Sequence, residues 1–325
     1  MIYYDKILGG VKLKFIDLFA GIGGFRLALE NYKYECVFSS EIDKYAILTY
    51  KENFGDVPYG DIKKIDEKDI PKHDILCAGF PCQAFSISGK QKGFEDSRGT
   101  LFFEIARIVS HHKPKILFLE NVANLRKHSD GETIEFMKKI LSELGYDVFM
   151  DILNASDYGV PQARKRIYIV AFKKELNIKK FEFPTPTNED IALEDILLSD
   201  EETEEFLIKR DDITLKDIEI KERILKPIRI GTINKGGQGD RIYSPKGHAI
   251  TLSAYGGGSG AKTGAYLING KVRKLAPEEC KLVQGFPRNF KIPVTNSQAW
   301  KQFGNSVSVP VLSKIMDKVL ELNIS

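Results

Sequence analysis

Residues 14–19 (KFIDLF) make an apolar run that stops at Gly21-Ile22-Gly23-Gly24, three glycines in four residues. A buried strand that ends in glycines and leads into a helix lets backbone come close to a ligand. The alternation continues downstream. Strands are expected at 14–19, 35–39, 74–78 and 115–119, and helices at 25–30, 44–53, 100–109 and 132–144. Two more strands, 146–154 and 166–172, follow close together. Strands joined by helices predict an α/β fold with a doubly wound, mixed but mostly parallel sheet. Ligands of such sheets bind beyond the carboxyl ends of the strands.

The character of the chain changes near Phe183-Pro184-Thr185-Pro186. Residues 187–220 carry 13 acidic and 3 basic side chains, and residues 221–304 carry 15 basic and 4 acidic. The formal net charge of +3 therefore conceals two opposed blocks. Eleven of the 27 glycines lie between positions 231 and 270, around short β-type runs at 251–252 and 266–268. The pattern predicts a smaller, loop-rich, β-type domain over 191–304. The first domain is expected over 1–190 and 305–325, with a helix near 310–322 returning to it. The basic block suits phosphates and salt-dependent nucleic-acid binding.

Composition excludes several classes. No stretch of the 325 residues approaches the ~20 apolar positions of a membrane span. The N-terminus has no leader-like apolar core. The cysteines, Cys36, Cys77, Cys82 and Cys280, are too scattered for a disulfide framework, and the five histidines lack ligand spacing. A cytoplasmic protein using neither metal nor membrane is expected.

Four motifs carry candidate chemistry. After the glycine turn, a dinucleotide fingerprint would need glycine at position 26, which is Arg26, so a pyrophosphate cradle is disfavoured. Glu41 ends the second strand, where a carboxylate accepts ribose hydroxyls. Asp61 is expected at the end of a third strand, placed to accept from an adenine amino group. These residues fit a nucleoside pocket, and equally an ordinary turn with surface acids. In Gly79-Phe80-Pro81-Cys82-Gln83, a cysteine past a buried strand is placed to attack as a thiolate, although a lone cysteine is usually a small core residue. The Gly- and Ser-rich stretch 83–99 after it reads as a hinged lid. Glu120, in Glu120-Asn121-Val122, again closes a strand; burial there would raise its pKa and suit it to proton donation, or it caps a helix. Arg164 and Arg166, in Gln162-Ala163-Arg164-Lys165-Arg166, share a face and suit an anionic or carbonyl ligand, or form a solvated edge.

Taken in order, these motifs resemble those of the DNA (cytosine-5)-methyltransferases over essentially the whole chain. The later signatures are present too: Arg273-Lys274-Leu275 with Glu279-Cys280, Gln284-Gly285-Phe286-Pro287, and residues 302–307 (QFGNSV). Residues 74–103 and 236–266 look especially like the small prokaryotic modification enzymes for GCGC sites. The resemblance implies a methyltransferase fold and S-adenosyl-methionine as cofactor, leaving S-adenosyl-homocysteine. Phe19, Gly21, Ile22, Gly23, Glu41, Ile42, Asp61, Ile62, Pro81, Leu101, Asn305 and Ser306 would line its pocket, Ile42 standing where the family often has tryptophan. Cys82 would be the nucleophile and Glu120 its partner at cytosine N3. Arg166 would hold the cytosine O2 and Glu120, and Arg164 would support the nucleophile loop. Double-stranded DNA would meet Ser88, Gln238, Arg241, Thr251, Tyr255 and Gly258, with Ser259-Gly260 smaller than the family pattern. The resemblance further implies a monomer acting on a flipped-out base in a restriction-modification system, its cognate endonuclease recognising the same site. The competing classes are a binding module without catalysis, a nicotinamide oxidoreductase and a tRNA cytosine-5 methyltransferase of the same family. The first lacks a reason for the cysteine, glutamate and arginines, the second conflicts with Arg26 and the thiol, and the third with the long basic region.

Overall fold

The computed structural model describes residues 12–81, 101–187 and 189–324; Cys82, Ser88 and the proposed lid 83–99 lie outside the described residues. The first sheet contains β1 (Lys14–Leu18), β2 (Glu35–Ser40), β3 (Ile75–Gly79), β4 (Ile116–Val122), β5 (Tyr146–Asn154) and β6 (Lys165–Lys173), in the order β2-β1-β3-β4-β6-β5. β2, β1, β3 and β4 pair in parallel, and β6 runs antiparallel to both its neighbours. A parallel return needs a crossover of about a dozen residues or more, and the short link between β5 and β6 holds only a single 3-10 turn at Ala155–Tyr158.

Strand periodicity builds two cores. Phe15, Cys77, Phe118, Tyr168 and Val170 face one side, covered by α1 (Gly24–Glu30) and α7 (Val309–Leu320). Ile16, Leu18, Leu76, Ala78, Leu117 and Leu119 face the other, covered by α3 (Leu101–His112) and α4 (Glu132–Glu143). Burial on both faces accounts for the nearly continuous apolar strands. The remaining helix of this unit, α2 (Lys44–Phe54), starts at Asp43, whose Oδ1 accepts the Tyr45 and Ala46 amides at 2.9 and 3.3 Å.

The second sheet is β7 (Ile213–Leu215), β8 (Ile228–Ile233), β9 (Arg241–Ser244), β10 (Ala265–Ile268) and β11 (Lys271–Lys274), ordered β11-β10-β9-β8-β7. Its own core is small: Ile230, Ile233, Ile242, Ala265 and Val272. The following helices, α5 (Pro277–Val283) and α6 (Asn296–Asn305), bury Cys280, Val283, Ala299 and Phe303 in the core of the first sheet. A buried two-pronged pair, Arg273 with Glu279 at 2.7 Å on each arm, joins β11 to α5.

Two expectations about elements change. The 251–252 run is not a strand. Leu252 is buried and its amide donates to Gln162 Oε1 at 3.0 Å, so this segment is held by the QARKR motif ahead of β6 instead of by a ladder. Asp61 does not end a third strand. It follows a single parallel bridge between Ser40 and Tyr59 and caps a short turn over Ile62–Lys64, while the third strand is β3.

Candidate active site

The strand ends singled out by sequence meet at one cavity of about 630 Å³. β1 leads into Phe19, Gly21 and Ile22, β2 into Glu41 and Ile42, and the turn after α2 supplies Asp61 and Ile62. Pro81, Leu101, Asn305 and Ser306 complete this part of the lining. Phe19 has φ 57°, a conformation that costs a bulky residue about 1–3 kcal/mol. The turn is held by Ala20 N donating to Ser40 O at 2.9 Å and Gly23 N to Ala20 O at 2.8 Å. At Gly21 a Cβ would meet nothing within 4 Å, so the backbone faces open space, and its amide donates to Glu41 Oε2 at 2.8 Å. Gly23 is different and does not line the cavity. It caps α1 at φ 86°, and a Cβ there would lie 2.2 Å from the Phe54 ring. Its glycine serves packing.

Arg26 occupies the position a third fingerprint glycine would take. It is buried, with Nε 2.6 Å from Glu30 and Nη1 2.7 Å from Asp56. Behind the turn, Asp17 is fully buried, and desolvation pushes its carboxyl up to about 8, with Arg26 lowering it and Glu41 raising it.

Glu120 is 7% exposed near the end of β4 and faces the same cavity. Pairing with β3 sets Gly79 beside it, and pairing with β6 brings Arg166 to the neighbouring position, opposite Val122. Arg166 Nε lies 3.0 Å from Glu120 Oε1. Burial raises the Glu120 pKa, and Arg166 followed by Arg164 draws it back. Arg164 also lines the cavity, and its guanidinium organises backbone. It donates to Leu252 O at 3.0 Å, Gly304 O at 3.1 Å and Ser306 O at 2.5 Å. One side chain thus gathers the start of β6, the 249–253 segment and the end of α6. Asn121, which sequence left without a role, donates from Nδ2 to Phe80 O at 2.8 Å and fixes the exit of β3 beside Glu120.

Of the described candidates for DNA contact, Gln238 is exposed just before β9, Arg241 is half-buried with an unpartnered Nε, and Tyr255 and Gly258 are exposed. Two loops hold this surface together through Gly260 N donating to Gly239 O at 2.7 Å and Ser259 N to Asp240 Oδ1 at 2.8 Å. Tyr255 also reaches the cavity. The Thr251 hydroxyl donates to Ala163 O at 2.5 Å.

The family described as "C-5 cytosine-specific DNA methylase" matches residues 13–321. The chain belongs to that family. Type II methyltransferase M.HhaI of Haemophilus parahaemolyticus is 58% identical to the methylase over 311 residues, 96% of this chain and 94% of its own. Type II methyltransferase M.HpaII of Haemophilus parainfluenzae is 44% identical over 333 residues, covering 95% and 90%. The structure of S. pombe Dnmt2 methyltransferase shares the fold at a TM-score of 0.74 and 20% identity, over 95% of this chain and 99% of that one. The methylase is therefore a type II C-5 cytosine DNA methyltransferase of the restriction-modification kind. Among its described residues, no helix is long and apolar enough to cross a membrane, and no cluster of His, Cys, Asp and Glu suits a metal ion.

Sequence reasoning missed Asp43 and Lys301 on the cavity wall, joined by an ion pair of 2.6 Å. Lys301 directly precedes the QFGNSV motif, which is the signal that would have drawn attention to it.

Proposed function

We propose that the methylase transfers a methyl group from S-adenosyl-methionine to C5 of a cytosine flipped out of duplex DNA, the inner cytosine of GCGC. The observation that carries this reading is the buried Glu120 carboxyl 3.0 Å from Arg166, facing a cavity that the open glycine turn also lines. The cofactor suits the residues present. Backbone at Gly21 is unobstructed, Ile42 and Ile62 offer apolar walls, and Glu41 and Asp61 bring carboxylates for hydroxyl and amino groups. When bound, it supplies an electrophilic methyl group.

The chain's own residues do the rest. Cytosine C5 is a poor nucleophile until a group adds at C6. Cys82, which follows Pro81 in sequence, adds there as the thiolate. Charge then develops at N3, where Glu120, whose pKa burial raises, donates or shares a proton. Arg166 orients that carboxyl and the base O2. After methylation, loss of the C5 proton expels Cys82 and restores the ring. The target atoms are hidden in the base stack, so the base must be extruded, with Ser88 near the vacated space. Gln238 pairs with the orphan guanine, Arg241 contacts guanine O6 and N7, and Thr251, Tyr255 and Gly258 approach the backbone. The net-basic block 221–304 meets phosphates and the acidic block faces away. The catalytic unit spans 1–190 and 305–325 and the reader 191–304. A monomer suffices, in the cytoplasm, with a cognate endonuclease sharing only the site.

Labelled S-adenosyl-methionine offered with duplex DNA or with tRNA tests the substrate. Label in duplex DNA is expected, and label in tRNA alone refutes the reading. DNA modified by the methylase should resist a nuclease that cuts GCGC; continued cutting removes the site assignment.

A further inference from the structure

Two stretches of the cavity wall come from distant parts of the chain. One is the N-terminal set of turns at 19–22, 24–25, 40–43 and 60–62, and the other is residues 301–302 and 304–307 at and just past the end of α6. Polar ties hold α2 to the C-terminal segment. Thr49 Oγ1 donates to Gln302 Oε1 at 3.0 Å, and Glu52 pairs with Lys291 at 2.8 Å. Asp43 Oδ2 and Lys301 Nζ stand 2.6 Å apart, and of these three ties theirs alone puts both partners on the cavity wall.

The loop that Asp43 ends is also tied at Glu41, whose amide donates to Tyr59 O at 2.8 Å, whose Oε2 accepts the Gly21 amide at 2.8 Å and whose Oε1 accepts the amides of Ile42 and Asp43, each at 2.7 Å. Between them Ile42 is 73% exposed at the cavity rim. The two carboxylate oxygens of Asp43 have separate tasks, Oδ1 capping α2 and Oδ2 receiving Lys301. Both side chains of the pair are less than a third exposed, so solvent screens it only in part.

We infer that Asp43 and Lys301 form a clasp across the rim of the cofactor pocket, which sets how tightly S-adenosyl-methionine and its product are held. The inference rests on the cofactor reading above. Both are positioning residues. Breaking the pair frees the 41–43 loop from α6 and lets Ile42 swing away from the pocket.

Calorimetry with S-adenosyl-homocysteine on the full chain tests this, since that ligand lacks the sulfonium charge that Lys301 would otherwise repel. Asp43→Asn keeps an equally good helix cap and removes the charge. Asp43→Asn and Lys301→Met should each weaken binding about fivefold, the size expected of one partly exposed ion pair. The double variant should be no weaker than either single one. Lys301→Arg should restore binding to within about twofold of wild type, and Glu52→Gln, which breaks a tie outside the cavity, should not move it. Wild-type binding with Asp43→Asn and Lys301→Met unmoved overturns the clasp alone, as does an equal loss in Glu52→Gln. A wild-type chain that binds no S-adenosyl-homocysteine overturns the cofactor reading and the clasp together.

Discussion

The two sheets of this molecule position their residues by different means. In the first, register does it. Glu120 is flanked by Gly79 on β3 and Tyr168 on β6, inside a sheet buried on both faces, so its carboxyl is fixed by backbone ladders. In the second, the strands are short and share five buried side chains. There, the proposed reading surface is held by loop-to-loop contact: a Cβ on Gly239 would lie 1.8 Å from Gly257 O. The proposed chemistry, which needs a buried, perturbed carboxyl, would sit on the rigid ladder. The proposed selection of a target would sit on loops, where residues are exchangeable without disturbing the sheet beneath.

Glu120→Ala should break the first arrangement most severely. Turnover on duplex DNA is expected to fall about 10²- to 10⁴-fold, the range for a lost proton donor, while duplex affinity holds within about threefold. Single-turnover kinetics with a binding titration checks both, and an equal fall in affinity would dissolve the contrast between the sheets. Gly239→Ala should do the converse. The added methyl group forces the 256–258 loop aside, so discrimination between a cognate duplex and one with a single altered base pair should drop about tenfold. Binding of S-adenosyl-homocysteine should be unchanged; a matching loss there would mean the two regions are not separable.

Much of this division was legible in sequence because strand ends in a doubly wound sheet are where apolar runs stop. Gly21, Glu41, Pro81 and Glu120 each sit at such a stop, Arg166 lies at the start of the antiparallel β6 beside them, and all of them face the cavity. What stayed hidden depends on contacts far apart in the chain. Gly23 resembles its neighbour Gly21, and only the rings of Phe54 and Tyr50 show that it serves packing. Asp61 hangs on a one-residue bridge that no periodicity reports. Leu252 is apolar enough for a strand, yet its amide goes to Gln162. The Asp43–Lys301 pair spans most of the chain's length, beyond any local pattern.

Asp17 sharpens the comparison from the stability side. Its folded pKa of about 8 lies above its ordinary 3.8, so folding retains a proton that the unfolded chain gives up. The stability it contributes is complete below about pH 4 and is lost as pH rises towards 8. Asp17→Asn escapes that loss, and the difference in Tm, variant minus wild type, should grow between pH 5 and pH 8. A flat difference would mean that the carboxyl is not held neutral behind the glycine turn. The smallest effect belongs to the second region. Lys235 is exposed in the net-basic block, and Lys235→Ala should reduce the slope of log affinity against log salt by about 1, with little change in site preference. An unchanged slope would take Lys235 off the proposed DNA-facing side.

The covalent step through Cys82 is tested most directly with duplex DNA carrying 5-fluorocytosine at the target position. Fluorine cannot leave as a proton does, so a thiolate added at C6 stays attached once the base is methylated. With S-adenosyl-methionine present, a denaturation-resistant complex should form, and peptide mapping should place the DNA on Cys82. No complex, or one attached to another residue, would contradict the assignment of Cys82 as the nucleophile.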